Sequence, residues 1–128
     1  MCGIAGFISN KYSKSDLTRM TNAIQHRGPD AEGHFFNFNK GIGLGHRRLS
    51  ILYLSDLANQ PMKSQCGRFI MVYNGEVYNY KEIAKELGNI NWKTNSDSEV
   101  ILAAFSNWGV EFVNKLNGMF AIAIYDLQ

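Results

Sequence analysis

The sequence lacks any long apolar run. Its longest, MFAIAIY, covers residues 119–125, far short of the roughly 20 residues that span a bilayer. The N-terminus carries no basic flank and no long apolar segment, which argues against a secretory signal; cytoplasmic residence is the expectation. A charge excess is lacking too. Thirteen basic and 11 acidic residues leave a formal net charge of +2, which makes no electrostatic case for nucleic acid or an anionic membrane. There is no repeat, no low-complexity tract and no Pro/Gly/Ser linker, and the two prolines, Pro29 and Pro61, stand where turns are already expected. Cysteine is scarce. Cys2 and Cys66 are the only two, and a pair in a signal-less chain more often stays reduced than bridged. Together with His26, His34 and His46 they show no C-x-x-C or H-x-x-x-H spacing, so no metal site is expected.

What is present suits one compact domain: 128 residues, 45% hydrophobic and 19% charged. GIAGFI reads as a buried strand. Ser15 and Asp16 offer a helix start, followed by Leu17, Met20, Thr21 and Ile24 at helical spacing. HRGPD (26–30) breaks that helix; EGHFFNF and IGLGHRRL read as strands separated by NKG. RFIMVYNGEVYNY reads as a strand, a tight turn and a return. Residues 79–87 are predicted helical with Asn79 as cap. Ser96 and Glu99 form a capping box ahead of the apolar stripe Ile101, Ala104, Phe105 and Trp108, which Gly109 closes. A short helix, EFVNKL, and a last strand, MFAIAIYD, follow. Strands come in adjacent groups, which predicts an α+β fold with largely antiparallel sheets. The chain stops just after an apolar strand that would need neighbours on both sides; a fragment of a longer protein is expected.

Four stretches carry chemistry, each with an ordinary structural alternative. YNGE (73–76) is a strong hairpin signal, since both central residues of a type I′ turn need positive φ. It could equally bring an Asn74 amide and a Gly75 N–H to one developing negative charge. In HRRLSI (46–51), alternation turns only one of Arg47 and Arg48 toward any given cleft, where a guanidinium suits a carboxylate; otherwise both are surface charges. SDSE (96–99) is a helix cap, or places an Asp97 carboxylate where it could hold an ammonium group. HRGPD is a turn, or a loop that folds over a substrate. Cys2 itself is either a small buried hydrophobe or a nucleophile.

Taken in order, MCGIAGF, HRGPD, GHRRLSI, QPM, YNGEVYN, SDSEVI and NGMFAIAIYD strongly resemble the N-terminal glutaminase domain of class II glutamine amidotransferases, nearest the glutamine-hydrolysing asparagine synthetases. The likeness runs from Met1 to Asp126. It implies an N-terminal nucleophile hydrolase fold, an αββα sandwich of two antiparallel sheets, incomplete at the C-terminus, with residues 1–128 as the type 2 amidotransferase domain. It implies hydrolysis of L-glutamine to glutamate and ammonia after Met1 is removed, with the Cys2 thiol attacking the side-chain amide. At matching positions, Asn74 and Gly75 would form the oxyanion hole, and Arg48 would take the α-carboxylate. Leu49, Ser50, Ile51 and Leu52 would line the pocket, Glu76 and Asp97 would hold the α-amino end, and Arg27 would sit in a loop that closes over glutamine.

The chemistry is self-consistent. A thiol near pKa about 8.5 and an α-amine near about 7.7–8.0 are almost matched, so the free amine of Cys2 can act as base and later return the proton to leaving ammonia. Two departures stand out: Tyr53 replaces the usual Asp after RLS, and Asn95 stands where Gly is common. No G-x-x-x-x-G-K-[ST] motif is present. No cofactor is therefore expected in this domain; ATP and magnesium would belong to a synthetase domain, the expected partner. Nucleic-acid and membrane partners are not expected, and a homodimer stays open. Three readings compete with asparagine synthesis: amidation of another acceptor such as a sugar acid, a free-standing amidase, and an inactive regulatory or truncated domain.

Overall fold

In the computed structural model, which describes residues 1–50 and 56–128, nine regular elements follow one another. They are β1 (Gly3–Ile8), α1 (Lys14–Ala23), β2 (Ala31–Asn37), β3 (Ile42–Arg48), β4 (Met62–Lys63), β5 (Phe69–Val77), α2 (Tyr80–Leu87), α3 (Asp97–Trp108) and β6 (Gly118–Asp126). Short 3-10 turns occupy Gln25–Arg27, Asp56–Ala58 and Gly109–Lys115, the last in place of the predicted helix EFVNKL. The strands form two three-stranded sheets, ordered β1-β3-β2 and β4-β5-β6, every pairing antiparallel. Helix α1 packs on β1 and β3, while α3 packs on β5 and against α2; β1 and β3 meet β5 between the sheets. The result is the αββα sandwich that the resemblance implies.

Two apolar clusters hold these layers. Between the sheets, Ile42, Leu44, Ile70 and Val72 are buried, with Ile4, Phe35, Ala123 and Tyr125 packed on them. Between the second sheet and the helices lie Met71, Tyr73, Val77, Ile83, Val100, Ile101 and Phe112. Each fully buried Met or Ile side chain contributes about 1.5–3 kcal/mol. Alternation along β5 thus sends Ile70 and Val72 toward the first sheet, and Met71, Tyr73 and Val77 toward the helices. Among the described residues no helix is long and apolar enough to cross a membrane.

The structure corrects several sequence expectations. Residues 73–76 do not turn: Tyr73 to Glu76 continue β5, in register with Ile122 to Met119 of β6. Asn74 has negative φ, so no type I′ turn forms. Gly75 is required for a different reason: a Cβ there would fall 2.2 Å from the Met119 carbonyl oxygen. The cap of α1 is Ser13, which forms a reciprocal capping box with Asp16, rather than Ser15. Asn79 does hold the N-cap position of α2, its carbonyl accepting from the Ile83 N–H, but its side chain makes no cap bond and instead ties Lys115 and Asn117. Ser96 does cap α3, but the Glu99 carboxylate accepts from the Lys93 and Thr94 N–H groups rather than closing the box. Among the described residues strand β1 lies at a sheet edge, with β3 central. Strand β6 pairs with β5 alone among the described residues.

Candidate active site

Pairing of Gly3 with Arg47 brings Cys2, just ahead of β1, beside the end of β3. Its half-buried Sγ accepts a hydrogen bond from the Leu49 N–H at 3.4 Å and lies 3.9 Å from the Leu49 carbonyl oxygen. Arg27 reaches the same point from the HRGPD segment, its Nε donating to the Cys2 carbonyl at 3.1 Å. Asp30 stitches that segment to the strand: its N–H donates to the Arg48 carbonyl at 3.0 Å, and its carboxylate accepts from the Ser50 N–H at 2.7 Å.

The two adjacent arginines part as alternation requires. Arg47 points to α1, where it bonds the Thr21 carbonyl and Asn22 and pairs with Glu32 at 2.6 Å. Arg48 lies on the opposite face, with His46 and Leu44, and its Nη1 donates to Asn59 Oδ1 at 2.6 Å. Because Ile4 packs on the inter-sheet core, Cys2 shares that inner face. Asn74 and Glu76 share the face of Ile70 and Val72. Cys2, Arg48 and Asn74 therefore all stand on inner faces of the two sheets. Ile51 and Leu52, expected to line the pocket, and Tyr53 lie outside the described residues.

Asp97, the first residue of α3, accepts from the Tyr73 hydroxyl at 2.7 Å and the Val77 N–H at 3.2 Å, at a helix end that favours negative charge. Burial pushes the Tyr73 hydroxyl well above its ordinary pKa of 10.0; the bond to Asp97, its charge, and the Glu76 and Cys2 charges act in the same direction. His46 is 1% exposed, and burial drives its pKa down from 6.5 to about 4, with the Arg48 charge adding to the effect. A cavity of about 500 Å3, lined by Met62, Ser64, Cys66, Thr94, Glu99 and Leu102 among others, lies apart: Cys2, Arg48, Asn74 and Asp97 do not line it.

The edge of β5 that faces away from β6 is the most informative feature. Antiparallel ladders use alternate residues on each edge. Even-numbered residues near the ends of β5 bond toward β6, as Arg68 does to Leu127 and Tyr78 to Asn117. Odd-numbered residues turn outward and meet side chains: the N–H of Phe69 meets Ser64 Oγ at 3.0 Å, that of Tyr73 meets Gln60 Oε1 at 2.5 Å, and that of Val77 meets Asp97. Gly75 stands between Tyr73 and Val77 on this edge, and its N–H has no hydrogen-bond partner among the described residues. The half-buried Asn74 side chain has none there either. An N–H and an amide at successive positions, both uncommitted, can converge on an oxyanion. His46, Gln60 and Tyr73, which surround this pair, were not singled out as site residues from sequence; their only trace there is the H of GHRR, the Q of QPM and the Y of YNGE.

Residues 1–128 match the family model of the glutamine amidotransferase domain, and the chain belongs to that family. Among its relatives, a protein of Methanocaldococcus jannaschii provisionally named asparagine synthetase [glutamine-hydrolyzing] 2 is 43% identical over 144 residues, covering 98% of this chain and 28% of its own length. Asparagine synthetase [glutamine-hydrolyzing] 2 of Bacillus subtilis is 42% identical over 134 residues, covering 98% of this chain and 17% of its own length. The chain thus spans less than a third of either protein. A similar fold occurs in the glutamine phosphoribosylpyrophosphate amidotransferase of B. subtilis, with a TM-score of 0.71 at 20% identity, covering 98% of this chain and 35% of that one.

Proposed function

We propose that this domain carries out the glutaminase half-reaction, with Cys2 as the nucleophile once Met1 is removed. While Met1 is attached, the Cys2 nitrogen is an amide and cannot serve as base. After removal, the free amine takes the thiol proton as sulfur bonds to the side-chain carbonyl carbon of glutamine, and the oxygen becomes an oxyanion. Asn74 Nδ2 and the Gly75 N–H hold that charge. Collapse expels ammonia with the proton from the amine and leaves a thioester on Cys2. Water then attacks the thioester through a second oxyanion and releases glutamate.

The observation that carries this reading is the uncommitted donor pair: the Asn74 amide, turned to the inter-sheet face as Cys2 and Arg48 are, and the Gly75 N–H on the β5 edge that faces away from β6. Arg48 binds the α-carboxylate through a bidentate contact, with Leu49, Ser50, Ile51 and Leu52 as pocket wall. Glu76 and Asp97 hold the α-ammonium. None of these steps needs a cofactor from this domain. In the whole protein the ammonia passes to an ATP- and magnesium-dependent synthetase portion, with aspartate as the acceptor, in the cytoplasm. The test is glutamate release by the full-length protein, with and without Cys2→Ala. Glutamate formed at an undiminished rate by the variant excludes a Cys2 mechanism.

A further inference from the structure

Among the described residues strand β4 pairs only with Ile70 and Met71 of β5. Beyond it, where the free edge of β5 approaches Asn74 and Gly75, two side chains take over the work of a strand. Gln60 Oε1 accepts from the Tyr73 N–H at 2.5 Å, and His46 Nε2 lies 3.2 Å from the Tyr73 carbonyl oxygen. A carbonyl only accepts, so Nε2 carries the hydrogen. The Tyr73 hydroxyl is fixed in turn by Asp97. His46 and Gln60 are both buried, the one on β3 and the other just ahead of β4. Their meeting is itself built in: Gly33 pairs with His46 across β2 and β3, and a Cβ on Gly33 would fall 2.0 Å from the Gln60 carbonyl oxygen.

We infer that His46 and Gln60 are positioning residues for glutamine hydrolysis: they hold the Tyr73 peptide groups and thereby aim the Asn74 and Gly75 donors at the oxyanion. This rests on the glutaminase reading above. The Tyr73 carbonyl lies in the peptide plane that carries the Asn74 N–H, and Gly75 follows directly. A misplacement of about 1 Å at such a site costs on the order of 100-fold in rate. Burial and the Arg48 guanidinium keep His46 neutral, so the clamp is a neutral hydrogen bond that leaves no added charge beside the oxyanion.

The test uses the full-length protein and separates reactions that form an oxyanion from one that does not. Alkylation of Cys2 by iodoacetamide joins sulfur to a saturated carbon and expels iodide, with no oxyanion. His46→Leu and Gln60→Met should each lower kcat for glutamine by roughly 10- to 100-fold, with KM within about twofold and Cys2 alkylation, read by peptide mapping, unchanged. His46→Gln keeps a donor at similar reach and should recover kcat to within about threefold of wild type. If His46→Leu does not fold, Gln60→Met and His46→Gln decide. Unchanged kcat in His46→Leu and Gln60→Met, parallel loss of kcat and alkylation, a rise in KM alone, or loss of the fold in all three variants overturns the inference. Wild-type protein without Cys2-dependent glutaminase activity would instead overturn the underlying reading.

Discussion

Cys2 and Cys66 are both free thiols, and they occupy opposite settings. Cys66 is exposed, and its hydrogen bond with Ser64, followed by the backbone and charge of Arg68, lowers its pKa. Cys2 is half-buried, bonded to the Leu49 N–H, and faces the space between the sheets toward which Asn74 is turned. That shift alone gives Cys66 thiolate character. In the proposed reaction Cys2 has instead what an amide substrate requires: donors for the oxyanion, a guanidinium for one end of an amino acid, and carboxylates for the other. Reactivity toward glutamine is thus a property of the surroundings more than of the sulfur.

Substitutions can break or sharpen this contrast. The largest effect belongs to the thiols: Cys2→Ala should lower glutamate release by at least about 1000-fold, while Cys66→Ser leaves kcat/KM within about twofold. Equal losses would erase the difference. Next comes the oxyanion pair. Asn74→Ala should reduce kcat by about 100- to 1000-fold, about 2.7–4 kcal/mol, with KM for glutamine within about threefold; steady-state kinetics in which affinity falls and turnover does not would assign Asn74 to binding.

The buried His46 predicts a smaller effect on folding. Its pKa lies near 4 in the native state against 6.5 ordinarily, so the unfolded chain binds the proton first as pH falls. Its linkage cost is absent above pH about 6.5 and grows toward pH 4, to about 3 kcal/mol at about 1.4 kcal/mol per unit. Urea unfolding across this range should show that loss, and His46→Gln should flatten that part of the profile. Smallest is Arg48→Lys, which keeps the charge and loses the fork: a rise in KM of about 10-fold with kcat within about threefold is expected.

Much of the fold and site is legible in the sequence, and the exceptions have physical causes. Alternation alone separates Arg47 from Arg48, because a strand side chain has only two faces to choose between. Helix α3 follows from its apolar stripe of Ile101, Ala104, Phe105 and Trp108. The Asn-Gly pair misleads as a hairpin because a glycine needed for positive φ and one needed for close approach look alike; what decides here is the Met119 carbonyl of β6, 44 residues further on. His46 and Gln60 carry no local signature either. A buried histidine and a glutamine before a proline become meaningful only once two sheets stack and β4 stops two residues short of the position opposite Tyr73.

The most direct measurement uses both thiols at once. Full-length protein is treated with a glutamine-like diazoketone, which loses dinitrogen as it alkylates a thiolate, and the digest is mapped by mass spectrometry. A Cys2 nucleophile predicts one label, on Cys2, in peptides that begin at Cys2 and lack Met1, with glutaminase activity lost in proportion. Label on Cys66 alone, or an unlabelled Cys2 still joined to Met1 in protein that hydrolyses glutamine, would contradict it.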